Sequence, residues 1–162
     1  LFYRLTGDLN LAAYFSGAQP AGFWQTAGSP MLFIIIAFFI ILLTENARVP
    51  VDDPATHLEL TMIHEVMVLD HSGPDFGFIE MGAFLKMFFY ASIVSRLIFP
   101  FELGHPAFNL ALFSLGVLIV YVSVGVVESI MARYRMDLVP KFVLTSFALA
   151  FFATVITLEF LK

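Results

Sequence analysis

Four long apolar runs divide this chain, and one polar stretch separates the first from the rest. The first run covers 26–44, with MLFIIIAFFIILL as its uncharged centre. A bilayer crossing takes ~20 residues, so the centre alone is short and the mild flank from Thr26 to Pro30 supplies the missing length. The second run, 78–99, is interrupted by Glu80, Lys86 and Arg96; the third, 107–127, carries no charge; the fourth, 142–161, holds Glu159 near its end. Backbone groups in hydrocarbon must be satisfied within their own segment, so each run predicts a membrane-spanning helix. Residues 1–25 form an amphipathic, turn-rich lead-in that looks like a piece starting mid-protein.

Between 45 and 77 the pattern changes. Asp53-Pro54 reads as a helix N-cap followed by proline at the first helical position. Leu58, Met62, Glu65/Val66 and Leu69 then recur at helical spacing, and Ser72-Gly73-Pro74 supplies a stop. This predicts a further helix over about 54–71, lying on or beside the membrane. The expected fold is therefore an all-α integral membrane protein: one domain over 1–162, with about four transmembrane helices and one interfacial helix.

The short connection PFELGHP makes the second and third spans antiparallel neighbours. With four crossings, the first and third connections share a side. That side holds Arg48, Arg133, Arg135 and Lys141, against Arg4 and Lys162 opposite. The excess of basic residues places 45–77 and 128–141 in the cytoplasm.

Composition narrows the function. Of 162 residues, 60% are hydrophobic, 16% aromatic and only 13% charged, with 20 Phe. A soluble domain is nearer half apolar and a quarter charged, so the lipid bilayer is the expected environment. A net charge of −5 argues against nucleic acid, which calls for a basic footprint. Zero Cys excludes thiolate metal sites and Cys-bound iron–sulfur clusters in this chain, so any redox centre belongs to a partner. No nucleophile–base pair and no phosphate-binding loop occurs, so no catalytic residue is assigned.

The charged residues carry what chemistry remains. Lys86 lies about eight residues into its run, ~12 Å below the start. A charge at that depth costs ~2.5–3.5 kcal/mol unless paired or wetted. Glu80 is ~120° away around the helix, a poor partner, so Lys86 calls for a group on another helix. Ala83, Lys86 and Tyr90 share a face expected to point inward. In the third run Ser114, Tyr121, Gly125 and Glu128 form a second line, as in helix packing or a hydrated path. Glu128 at its end is expected to face Arg133 and Arg135. Glu45 leaves the first span three residues before Arg48, which can neutralise it on a continuing turn. Glu45, Lys86 and Glu128, with Glu80 and Tyr121, are the candidate proton or ion pathway. His57, His64 and His71 recur every seven residues on one face, yet the outer two would be ~21 Å apart, too far to share a metal. The zinc motif HExxH fails because Val68 stands where its second His belongs. No metal or cofactor site is expected in this chain.

The run from Glu45 through Asn46, Ala47, Arg48, Val49, Pro50, Val51 and Asp52, then Glu59, His64, Glu65 and Ser72-Gly73, resembles the quinone-site membrane subunit of respiratory complex I, the subunit-1 family. There the comparable stretch reads like ETNRAPFD followed by a Glu-rich helix. PVDDPATHLELTMIHEVMVLDHSG and the later ESIMARYRMDLVPKFV are more similar to a branch of that family, the membrane subunit of group 4 nickel–iron hydrogenases, including formate hydrogenlyase subunit 4. The resemblance covers most of the chain from about residue 26. It implies the C-terminal half of an eight-helix subunit in the cell inner membrane, with a nickel–iron centre and iron–sulfur clusters in partner subunits. It implies contact with a hydrogenase-like large subunit and a small iron–sulfur subunit through a coupling segment of Arg48, Asp52, Asp53, His57, Glu59, His64, Glu65 and Asp70. It also implies a lateral ion path toward antiporter-like membrane subunits. Lys86 stands where complex I members carry a membrane glutamate, which favours the hydrogenase branch over quinone reduction. Three readings follow: a coupling subunit of an energy-converting hydrogenase-type complex, a quinone-site subunit of a complex I-type NADH dehydrogenase, or a purely structural anchor.

Overall fold

The computed structural model describes residues 20–51, 73–99, 105–132, 134 and 138–160. Among these residues the regular structure is all helix: α1 (Pro20–Glu45), α2 (Pro74–Ile98), α3 (Pro106–Ile130) and α4 (Val139–Phe160). All four are long and apolar enough to cross a membrane, so the chain is an all-α integral membrane protein. The predicted helix over 54–71 lies outside the described residues. So do Asp52, Asp53, His57, Glu59, His64, Glu65 and Asp70.

The helices begin earlier than the apolar runs. α1 is described from Pro20, against an expected 26, and α2 starts at Pro74 rather than 78. Proline explains the start of α2. Its fixed φ suits the first turn, where its missing N–H costs nothing, so a polar first turn can precede the apolar stretch. α2 and α3 each have proline in that position. Gly73, just before α2, has φ 68°, a left-handed conformation that glycine adopts without a Cβ clash.

α1 packs most extensively on α4, α2 on α3, and α1 also on α2. One cluster joins Leu42 and Leu43 of α1, Ala91 and Val94 of α2, and Val120 and Val124 of α3. A second joins Met31 and Ile34 of α1, Leu97 of α2 and Ala153 of α4. Lipid tails are as apolar as these side chains, so close fit rather than escape from water holds such helices together. Gly116 of α3 provides the closest approach. A Cβ built there would collide with Ser95 Oγ of α2 and lie 3.2 Å from Phe99. Ser95 is buried and donates to Phe113 O of α3 at 3.5 Å. Near the other end of α1, Trp24 Nε1 donates to Leu97 O, a carbonyl in the last turn of α2, at 3.3 Å.

The exit from α1 is a tight reversal. Arg48 N–H bonds Leu43 O at 2.9 Å and Ala47 N–H bonds Thr44 O at 3.2 Å. That pair of bonds is a Schellman C-cap, with Ala47 at the left-handed position, φ 48°, where glycine is usual. Asn46 Nδ2 takes the Leu42 carbonyl at 2.8 Å. A cis Val49–Pro50 bond follows.

Candidate functional site

The reversal after α1 decides the site. A helix continued past Glu45 would stack Arg48 on it and let the two neutralise each other. The C-cap ends the helix between them instead. Glu45 Oε2 then lies 3.0 Å from Lys86 Nζ of α2. Arg48 Nη1 turns to Glu128 Oε1 of α3 at 3.3 Å, and its Nη2 lies 3.6 Å from Met87 Sδ. The expected Glu45–Arg48 pair is therefore replaced by two pairs that tie α1 to two different helices. Lys86 finds a carboxylate on another helix, at the end of α1, although both side chains are exposed rather than buried at depth. Glu128 faces Arg48; Arg133 and Arg135 lie outside the described residues.

Neither pair is sealed. Side-chain exposure in the isolated chain is 45% for Lys86 and 48% for Glu45, against 32% and 29% for Arg48 and Glu128. In water such pairs contribute roughly 0–1 kcal/mol each. The site is compact and charge-balanced: two acids and two bases, each acid facing one base. A backbone bond beside it, Tyr134 N–H to Pro50 O at 2.8 Å, fastens the connection after α1 to the one after α3. The Tyr134 ring meets Phe142 of α4 edge-on, with centroids 5.7 Å apart. The first and third connections are thus neighbours on one side of the bundle, as alternating crossings demand.

The other candidates separate from this group. Of the expected inward face of α2, Ala83 is exposed and Tyr90 is half-buried. The line on α3 is not a packing seam. Ser114 is exposed and bonds Leu110 O of its own helix, Tyr121 is exposed, and Gly125 has nothing within 4 Å of its Cβ position. Of that line, Glu128 pairs across the bundle, with Arg48 in the turn after α1. Helical spacing correctly put these four on one stripe, but spacing does not say which stripe meets a neighbour. Gly116, nine residues before Gly125, is the glycine that does, and its sequence context gave no sign of it. Glu80 is exposed near the start of α2. Among the described residues no group of three or more His, Cys, Asp or Glu could hold a metal ion.

A comparison with protein families gives a match to the model described as NADH dehydrogenase over residues 2–158. No curated protein and no solved structure matches the chain. The match covers nearly the whole length, including the segment from Glu45 to Gly73 that carries the resemblance noted from sequence. The chain is a multi-pass membrane subunit belonging to the NADH dehydrogenase family, the complex I subunit 1-like group of membrane components of oxidoreductase complexes.

Proposed function

We propose that this chain anchors and couples an energy-converting, hydrogenase-type complex, linking electron transfer in cytoplasmic partners to the movement of a proton or sodium ion. The observation that carries the reading is the double pair Glu45–Lys86 and Arg48–Glu128. It stands where the acidic connection 52–72 leaves the first span. Electrons move through partner clusters. A change of charge beside Asp52, Asp53, Glu59 or His64 alters the field at Glu45 and Arg48, which lie four to nineteen residues away in the chain. Each of those two residues holds a charge on a different helix. Strengthening one pair against the other biases where a proton or cation resides among Glu45, Lys86 and Glu128. Such coupling is reciprocal: ion binding at the pairs alters the redox side by the same free energy.

Support for the hydrogenase branch is the wording of PVDDPATHLELTMIHEVMVLDHSG together with a lysine at Lys86. The matched family description supports a second reading, the quinone-site subunit of a complex I-type NADH dehydrogenase. Identifying the large subunit that co-purifies separates the two: a nickel–iron protein selects the first, a bound quinone or inhibition by quinone-site inhibitors the second. The coupling claim is tested by Lys86→Met in the assembled complex. The expected result is electron turnover with ion transport lost. Full transport at full turnover removes Lys86 from the mechanism.

A further inference from the structure

Two links join the same two stretches of chain. Arg48 Nη1 meets Glu128 Oε1 at 3.3 Å, and Tyr134 N–H donates to Pro50 O at 2.8 Å. One stretch is the turn after α1; the other is the end of α3 with the residues that follow it. Once either link is closed, the other closes between groups already held together, so each strengthens the other. The gain matters here because a half-exposed ion pair is weak by itself: ordering the long arginine side chain offsets most of the attraction.

The turn is held on both sides of Arg48. Before it stands the C-cap, with Arg48 N–H on Leu43 O. After it, Arg48 O accepts from Val51 N–H at 2.9 Å and Pro50 O accepts from Tyr134. Val49 and Pro50 are buried, although they belong to a connection and not to a helix. Tyr134 is itself anchored at both ends. Three residues earlier, Met131 N–H closes α3 on Val127 O at 2.8 Å. On the other side, the Tyr134 ring stands edge-on to Phe142 of α4. Phe142 packs on the cluster that holds Leu42 and Leu43, the residues just before the C-cap. The contacts thus close a ring: the end of α1, the turn, Tyr134, Phe142 and the end of α1 again.

We infer that Tyr134 is a positioning residue for the Arg48–Glu128 pair: its backbone N–H holds the turn that carries Arg48, its ring seats that hold on α4, and the pair and this clamp form and break together. No side chain of α4 takes part in either ion pair, yet through Tyr134 a change of charge at Glu128 reaches the start of α4. The clamp is independent of whether any ion moves; its consequence for transport rests on the proposed coupling function.

The absence of Cys allows a direct test. Val49→Cys places one thiol in the buried turn beside Arg48, and its labelling by N-ethylmaleimide is timed in the detergent-solubilised complex. A buried thiol reacts only when the turn opens, so the rate reads the clamp. Three backgrounds are compared: Tyr134→Phe, which keeps the ring and the N–H; Tyr134→Ala, which keeps the N–H alone; and Glu128→Ala, which removes the ion pair. Tyr134→Leu stands in for Tyr134→Ala if that variant does not assemble. The expected result is slow labelling with the native residue and with Phe, and labelling about tenfold faster with Tyr134→Ala and with Glu128→Ala. Slow labelling in Tyr134→Ala means that the ring does not hold the turn, and overturns the inference. Fast labelling in Tyr134→Phe overturns it as well, because the ring and the N–H are then insufficient. Fast labelling in Tyr134→Ala with slow labelling in Glu128→Ala shows that the clamp and the pair are separate, and refutes their linkage. In the same variants, ions moved per electron should fall in Tyr134→Ala and recover in Tyr134→Phe at unchanged electron turnover; equal losses of turnover and transport mean general damage and remove the positioning role. Normal transport in Tyr134→Ala despite fast labelling counts against the proposed function and leaves the clamp standing.

Discussion

Arg48 and Glu128 are 80 residues apart in sequence, yet Arg48 Nη1 lies 3.3 Å from Glu128 Oε1. The pair exists because α1 stops at Glu45. A side chain expected to serve its own helix is thereby turned onto α3, and Glu45 is left for Lys86.

The pair should behave as a coupled unit. Arg48→Ala and Glu128→Ala are each expected to lower the thermal stability of the detergent-solubilised subunit slightly. In a double-mutant cycle the coupling should be about 0.5–1 kcal/mol, the range for half-exposed pairs. Strictly additive single effects would show that the contact carries no energy.

The carboxylates should matter for transport more than for assembly. Glu45→Gln combined with Glu128→Gln keeps shape and hydrogen-bonding capacity but removes both negative charges. Ion translocation is expected to be lost while the complex still assembles and passes electrons. If pumping survives the double change, the chain is a structural anchor only.

Two glycines of α3 should respond oppositely to the same substitution. Gly116→Ala puts a methyl group against Ser95 and Phe99, and overpacking of this kind costs about 1–3 kcal/mol. Ser95→Ala in the same background should recover part of it, because the nearest clash is the hydroxyl. Gly125→Ala has open space around it and should gain up to about 1 kcal/mol from helix propensity. Melting temperatures of the three variants decide; equal effects at both glycines would refute the close α2–α3 approach.

Ala47 occupies a left-handed position that disfavours an L side chain by about 1–2 kcal/mol. Ala47→Gly is expected to raise the melting temperature, or leave it level once the greater freedom of glycine in the unfolded chain is counted. Ala47→Val should lower it clearly. A neutral Val variant would mean that the Schellman turn is not the stable form of this exit.

The apolar runs by themselves determined that this is a helical membrane chain, with four spans among the described residues, because hydrocarbon leaves a lone uncharged segment no other way to satisfy its backbone. The spacing of Glu80 and Lys86 likewise pointed to a partner from outside that helix, since Glu80 is on the wrong side at the wrong height. Which partner it was depended on a single turn. The local sequence around Glu45 and Arg48 is compatible with a helical ion pair, and only the C-cap at Ala47 separates them. The same limit holds for α3: periodicity set Ser114, Tyr121, Gly125 and Glu128 on one stripe, but the neighbour contacts that stripe only at Glu128 and is met instead at Gly116. Composition and period are properties of one segment, so sequence could fix each helix. Register is a property of pairs of segments, and only their packing decided it.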